Sequence, residues 1–195
     1  MIRGWHGWFG TINGVVLLTV AALPLAALAV WALARRRGTD GGTSAWRMSL
    51  AEVGMVYGTV PWVWMTLLPN HGTGDRHRVN LVPLRDLLTV LAGGPVTATV
   101  QIVGNLLVFA ALGFFAPLRF ATLASIPRIL ALAASCSVLV ETAQYVLGLD
   151  RVSSVDDVLL NTAGAGLAAL ASRHWWRTST RAAPDRPQSV SLPGR

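Results

Sequence analysis

Three polar residues, Glu141, Asn105 and Asn161, lie inside separate apolar stretches of the sequence. An ionisable group at the centre of a membrane-spanning helix costs about 2.5 to 3.5 kcal/mol, so a residue such as Glu141 is by default a candidate for function. Its carboxyl group can give or take a proton, and the two amides can donate and accept hydrogen bonds. This combination is typical of a polar site that binds a ligand or transfers a proton within the membrane.

The three side chains are expected at similar depth below one membrane surface. With a rise of about 1.5 Å per residue, Glu141 and Asn161 lie about 9 Å, and Asn105 about 12 Å, from the ends of their predicted helices on that side. Gln144 lies one turn from Glu141 on the same helix face. Three further residues lie closer to the surface: Arg151, Asp156 and Asp157. The pattern favours a polar pocket over its alternative, an interhelical hydrogen-bond layer that only holds the bundle together.

Asp156 and Asp157 follow two serines at the start of the last apolar stretch. The serines, at 153 and 154, each precede an acid by three residues, which is the spacing of a helix-capping box, and acids favour a helix N-terminus. Neighbouring side chains point about 100° apart on a helix. We therefore expect at most one of the two carboxylates to face the bundle interior, and the other to face solvent or Arg151.

The composition is that of a membrane protein. Hydrophobic residues make up 53% of the 195 residues and charged residues only 13%, whereas about a quarter of the residues in an average soluble domain are charged. All 16 basic residues are arginines, and with nine acids they give a net charge of +7 at pH 7. The arginines lie mostly at the ends of apolar stretches, and no long basic segment interleaved with aromatic residues is present, so nucleic-acid binding is not expected.

Five apolar stretches have about the length that crosses a hydrocarbon core of roughly 30 Å. We therefore predict an all-α fold, a polytopic transmembrane bundle of about five helices. The predicted spans are 13–33, 48–68, 97–115, 128–147 and 155–172. Proline should kink the second span at position 61 and stop the third at position 117. Before the third span, residues 83–91 are predicted to form a short amphipathic helix on the membrane surface.

Arginine placement predicts the topology. Eleven of the 16 arginines fall on one side of the predicted membrane and five on the other, and the arginine-rich side should be cytoplasmic. The N-terminus is then outside, the C-terminus is inside, and the long loop over 69–96 faces out from the plasma membrane. Three parts follow: an N-terminal transmembrane helix and cytoplasmic linker over 1–47, a transmembrane domain over 48–172, and a disordered cytoplasmic tail over 173–195. Glu52, near a cytoplasmic helix end, is expected to be a peripheral charge.

The long outer loop also contains two histidines. His71 and His77 flank Asp75, but their spacing matches no strong metal-ligand pattern, so no metal site is predicted. Phosphate-binding loops and nucleophile motifs are absent from the sequence, and no cofactor is expected.

Three segments of the sequence resemble the VanZ-like membrane proteins of bacteria. They are NLVP at 80–83, GNLLVFAALGFFAPL at 104–118 and ETAQYVLGLDRVSSVDDVLLNTAGAG at 141–166. The positions that match the family pattern are Asn80, Pro83, Asn105, Phe109, Gly113, Glu141, Gln144, Arg151, Asp156, Asp157, Asn161 and Gly164. Two positions depart from it: Ala111 replaces a usual proline, which predicts a straighter third helix, and Ser154 replaces a frequent acid.

The resemblance implies a role at the cell envelope, because the namesake of the family lowers susceptibility to the glycopeptide teicoplanin. On this interpretation, the outward-facing pocket binds a membrane lipid, an envelope precursor or a glycopeptide. The residues expected to form it are Asn80, Asn105, Glu141, Gln144, Arg151, Asp156, Asp157 and Asn161.

Two other functions stay open. One is an intramembrane enzyme that acts on a lipid-linked envelope component, with Glu141 or Asp157 as the general base. The other is a non-catalytic membrane scaffold or regulator whose polar residues only pack.

Overall fold

Helices form nearly all of the regular structure. The computed structural model describes residues 11–37, 43–69, 79–149 and 152–181. The helices are α1 (Ile12–Arg37), α2 (Thr43–Thr66), α3 (Arg85–Ala92), α4 (Pro95–Val108), α5 (Ala110–Arg119), α6 (Ile126–Val146) and α7 (Val155–Arg181). Between them lie a 3-10 turn, Ala121–Leu123, and two short strands, β1 (Val79–Asn80) and β2 (Ser153–Ser154). The predicted all-α class is confirmed.

Three helical segments are long and apolar enough to cross a membrane. They are α1, the combined α4 and α5 segment, and α6, with mean hydropathies of 2.4, 1.9 and 1.5. Two further helices, α2 with 24 residues and α7 with 27, are less apolar, but both have the length that about 30 Å of hydrocarbon requires. The chain is therefore a polytopic membrane protein, and the number of five spans stays a prediction.

The last helix, α7, lies at the centre of the bundle and packs against α4, α5 and α6. The helices approach so closely that a Cβ atom at Gly164 would lie 1.9 Å from the carbonyl oxygen of Leu106. A Cβ atom at Gly113 in α5 would lie 2.1 Å from the carbonyl oxygen of Ala165, so only glycine fits at either position. The apolar core lies at this junction and comprises Val108, Phe109, Ala116, Ile129, Ala133, Ala165 and Ala169. Outside it, α1 packs on α2, and α2 packs on α5.

The third predicted span differs from its expectation. It is interrupted at Phe109, which has φ −115° and ψ 13° and separates α4 from α5. The ring of Phe109 is buried in the core, so the helix departs from regular geometry where this side chain packs. Beyond it, α5 continues through Pro117 to Arg119. The predictions of a straighter helix and of a stop at Pro117 are therefore wrong.

Two other predicted helices are present, but their boundaries differ from the predicted ones. The short helix predicted over 83–91 is α3, and only two residues separate the end of α3 from the start of α4. The last helix does not end at Ser172, because α7 continues to Arg181. The prediction of a disordered tail is therefore wrong for 173–181, and residues 182–195 lie outside the described part of the chain.

Candidate functional site

The two short strands join the long loop to the start of α7, because β1 pairs in parallel with β2. The hydroxyl of Ser154 then accepts a hydrogen bond from the N–H of Asp156 at 3.2 Å, which satisfies one of the unpaired donors of the first helical turn. The hydroxyl of Ser153 instead donates to the carbonyl oxygen of Glu141 at 3.1 Å. Ser154 thus caps α7, but it bonds Asp156 rather than Asp157. It gives its own N–H to Glu141, so the predicted capping box is not formed. Ser153 connects the start of α7 to α6.

Asp156 fastens the short helix α3 to the start of α7. Its carboxylate accepts hydrogen bonds from three backbone N–H groups, those of Leu84 at 2.6 Å, Asp86 at 3.0 Å and Leu87 at 3.0 Å. The residue is only 4% exposed, and a carboxylate at a helix N-terminus is electrostatically favourable. Leu84 has a φ of 67°, a left-handed conformation that costs an L-residue about 1 to 2 kcal/mol. The hydrogen bonds that Asp156 accepts stabilise this strained turn.

Asn80 organises the loop that leads into α3. Its side-chain nitrogen donates to Oδ1 of Asp86 at 2.7 Å, and its side-chain oxygen accepts from the N–H of Val82 at 3.1 Å. Such a bond to the backbone two residues ahead is a common turn-forming contact of asparagine. Both polar atoms of this predicted pocket residue are therefore used within the loop.

Asp157 faces a different helix from Asp156. Its carboxylate accepts a hydrogen bond from the side-chain amide of Asn105 in α4. Both acids thus have protein partners, because two neighbouring helices, α3 and α4, meet the first turn of α7. The space beside them is a cavity of about 10 Å³, which has room for about one water molecule. Its lining residues are Asp86, Leu87, Val90, Gln101, Ile102, Asn105, Asp156, Asp157 and Leu160.

Glu141 borders a much larger space. Its Oε2 accepts a hydrogen bond from the N–H of Ser154 at 3.0 Å, and the residue is 9% exposed. Beside it lies a groove of about 350 Å³ between α6, the start of α7 and the paired strands. The groove is lined by Val79, Leu81, Val138, Glu141, Thr142, Tyr145, Ser153, Ser154, Val155 and Val158. Five of these ten side chains are aliphatic, so Glu141 brings a charged or proton-bearing group to a largely apolar groove.

Thr142 and Tyr145 also line this groove, and neither is among the site residues predicted from the sequence. Thr142 follows Glu141 directly, and Tyr145 lies four residues after it, one turn along the same helix. This four-residue spacing from Glu141 was the feature of the sequence that could have identified Tyr145 as a groove residue. Tyr145 is 42% exposed and Val138 is 51% exposed, so the groove opens on the outer face of the bundle rather than into its centre.

Gln144 and Asn161 connect helices. The side-chain nitrogen of Gln144 donates to the carbonyl oxygen of Thr66 at the end of α2, at 2.9 Å. The side-chain nitrogen of Asn161 donates to the hydroxyl of Ser137 in α6, at 2.8 Å, and Asn161 is 3% exposed. Its side-chain oxygen has no hydrogen-bond partner among the residues that the structure describes. These contacts are the interhelical hydrogen bonds expected of amides in a membrane bundle.

The predicted site residues are therefore grouped around the first turns of α7, but in two places. Asn105 and Asp157 lie on the small cavity and Glu141 lies on the groove, rather than all three on one pocket. Arg151 lies outside the described residues, as do the histidines of the outer loop at 71 and 77. Among the predicted site residues that the structure describes, Glu141 borders the groove, which is large enough for a ligand.

The opposite end of the bundle contains an ion cluster that the sequence analysis missed. The carboxylate of Glu52 in α2 pairs with Arg37 at the end of α1 and with Arg119 at the end of α5. Arg37 also donates to the hydroxyl of Ser49 at 3.0 Å. Glu52 is thus not an isolated peripheral charge, because it joins α2 to the ends of α1 and α5. The signal in the sequence was that all three residues fall at predicted helix ends on the same side of the membrane.

Comparison with known proteins gives one match. The family model for VanZ/LLP1 matches residues 55–176, which include the second half of α2, the paired strands, every helix from α3 to α6 and most of α7. No curated protein and no solved structure matches the chain. Because the matched region covers more than half of the sequence and contains Glu141 and the contacts around α7, the chain belongs to the VanZ/LLP1 family.

Proposed function

We propose that this VanZ-like protein acts at the cell envelope by binding an amphiphilic envelope molecule in the groove beside Glu141, and that it lowers susceptibility to a teicoplanin-like glycopeptide in this way. The observation that carries the proposal is the position of Glu141 at the edge of the groove of about 350 Å³. Small-molecule sites have volumes of about 300 to 1,000 Å³ and are mostly apolar with a few converging polar groups. The groove has this size and character.

The lining of the groove favours a particular class of ligand. The valines at 79, 138, 155 and 158 and Leu81 provide an apolar surface for a hydrocarbon chain. Glu141 accepts hydrogen bonds when ionised, and Ser154 orients its carboxylate. The complementary ligand is a surface lipid or lipid-linked envelope precursor whose head group carries hydrogen-bond donors, such as an ammonium, amide or hydroxyl group. Binding such a molecule would change its access to a glycopeptide outside the membrane.

A catalytic version of this proposal uses the same groove. Of the two acids considered as a general base, Asp157 lies on a cavity of about 10 Å³, into which no substrate fits. Glu141 borders space for the head group of a lipid-linked substrate and is the residue that would take a proton from it. An intramembrane enzyme predicts a new lipid or precursor species in membranes that contain the protein, seen by mass spectrometry, and its loss with Glu141→Gln. A binding protein predicts an unchanged profile.

The proposed function is tested by the Glu141→Gln variant. In a glycopeptide-sensitive bacterium, the wild-type chain should raise the minimal inhibitory concentration of teicoplanin, and Glu141→Gln should return it to the empty-vector value, because the neutral amide no longer provides a carboxylate acceptor. Leu139→Ala is the matched control, since Leu139 lies on the same helix and is 68% exposed outside the groove lining. Membrane levels of the three proteins must be equal. A Glu141→Gln variant with full wild-type effect would contradict the proposal.

A further inference from the structure

A second cavity, at the arginine-rich end of the bundle, is not part of the Glu141 groove. It has a volume of about 580 Å³ and lies between the start of α2, the end of α5 and the last turns of α7. Its lining residues are Thr43, Ser44, Arg47, Met48, Leu50, Ala51, Phe114, Phe115, Leu118, Arg119 and Trp175. The lining therefore combines two guanidinium groups, two hydroxyl groups and a mostly apolar wall.

The charge of this lining is positive. Arg47 and Arg119 are its charged members, and none of the lining residues that the structure describes is acidic. Glu52 pairs with Arg119, but it pairs with Arg37 as well, so one carboxylate faces two guanidinium groups. Arg47 donates to the carbonyl oxygen of Trp175 at 3.3 Å, and this acceptor is neutral. An anionic ligand would meet complementary charge here.

The apolar wall indicates that the ligand is amphiphilic. Phe114 packs edge-on against Trp175 with ring centroids 5.4 Å apart, and against Phe115 at 5.0 Å. Tryptophan and arginine near helix ends are typical of the boundary between head groups and hydrocarbon. A phosphate group alone would fill only a small part of a space of about 580 Å³. A phosphate with attached acyl chains uses both parts of the lining.

We propose that this cavity binds an anionic phospholipid of the surrounding membrane, with its phosphodiester held by Arg47 and the adjoining hydroxyl groups and its acyl chains along Phe114, Phe115 and Leu118. A guanidinium group offers several donors in one plane and matches the geometry of a phosphate. Basic pockets between transmembrane helices are a recurrent form of anionic-lipid site. Threonine and serine at positions 43 and 44 add neutral hydrogen-bond donors.

The test compares lipid binding by three variants of the full chain purified in a neutral detergent. Native mass spectrometry measures the retention of added phosphatidylglycerol, with phosphatidylcholine as the neutral counterpart. Arg47→Gln should weaken phosphatidylglycerol binding about tenfold, as expected for the loss of a charge-assisted hydrogen bond, and Arg47→Lys should weaken it less, because the charge is kept. Arg36→Gln is the control, since Arg36 is exposed on α1 and is not among the lining residues.

Three results would overturn the proposal. One is equal retention of phosphatidylcholine and phosphatidylglycerol by the wild-type chain. Another is an Arg47→Gln effect no larger than that of Arg36→Gln, with the variants showing the same thermal unfolding in detergent. The third is displacement of the lipid by millimolar inorganic phosphate, which would identify a site for free phosphate. The expected result is selective retention of phosphatidylglycerol that depends on Arg47 and resists inorganic phosphate.

Discussion

The polar side chains around the start of α7 differ in what surrounds them. Asp156 and Asn80 are committed to the turn before α3, and Asp157 is committed to Asn105. Glu141 has a backbone partner in Ser154 and also borders the groove. We therefore propose Glu141, rather than the residues that hold α3 and α4 to α7, as the group that meets a ligand.

Asp156→Asn should release α3 from the bundle. The variant keeps one carbonyl oxygen but loses the charge that strengthens three hydrogen bonds from backbone N–H groups, and a hydrogen bond to a charged group contributes about 1.5 to 3 kcal/mol. We expect a lower unfolding temperature and faster amide exchange over 84–92, measured by hydrogen–deuterium exchange mass spectrometry. Ser135→Ala is the control, because Ser135 is exposed on α6. Unchanged exchange in α3 would show that Asp156 does not hold it.

The sequence predicted which polar residues would be buried, but not which residues they would contact. Glu141, Asn161 and the two acids at 156 and 157 stand out because charged and amide groups are costly in apolar stretches. Their partners lie far along the chain: Asp156 binds N–H groups about 70 positions away, and Glu52 joins residues from two other helices. No sequence pattern near either residue identifies these distant partners. The contacts could therefore be found only from the folded structure.

At the scale of elements, the close approach of α7 to its neighbours positions the site. The two glycines at 113 and 164 let α5 and α4 come within backbone contact of α7, and this brings Asn105 to Asp157. The positions of the helices followed from apolar stretches in the sequence. The interruption at Phe109 did not, because it coincides with a tertiary contact, the burial of the ring in the core.

Gly164→Ala should destabilise the protein, whereas Gly104→Ala should not. A Cβ at Gly164 meets the carbonyl of Leu106 at 1.9 Å, but a Cβ at Gly104 meets nothing within 4 Å. Forcing α4 and α7 apart should cost about 1 to 3 kcal/mol, while alanine at an open helical position gains about 0.5 to 1 kcal/mol over glycine. Thermal unfolding of the purified variants measures both effects. Equal unfolding temperatures would mean that α4 and α7 do not touch at Gly164.

At the scale of the whole molecule, the two ends of the bundle have different chemistry. One end carries the strand pair, α3 and the Glu141 groove, and the other carries the cluster of Glu52 with Arg37 and Arg119. The excess of arginine at the second end predicts that it is cytoplasmic. The groove then opens toward the outer leaflet, where envelope precursors and glycopeptides meet.

A fusion at the C-terminus measures this orientation. If the arginine-rich end is cytoplasmic, a green fluorescent protein fused after residue 195 should fluoresce, and alkaline phosphatase fused at the same place should be inactive, because it matures only outside the cytoplasm. The same reporters fused to a membrane protein of known topology calibrate the two signals. Active phosphatase with a dark fluorescent fusion would reverse the orientation and move the groove to the inner leaflet.

The occupancy of the Glu141 groove is the central claim, and native mass spectrometry of the protein extracted from its membrane tests it most directly. Thr142→Phe fills the groove next to Glu141, whereas Leu139→Phe adds the same ring to an exposed position on the same helix. The wild type and Leu139→Phe should retain one more lipid with a hydrogen-bond-donating head group than Thr142→Phe does, at unchanged thermal stability. Identical lipid retention by all three proteins, or none by the wild type, would contradict the account.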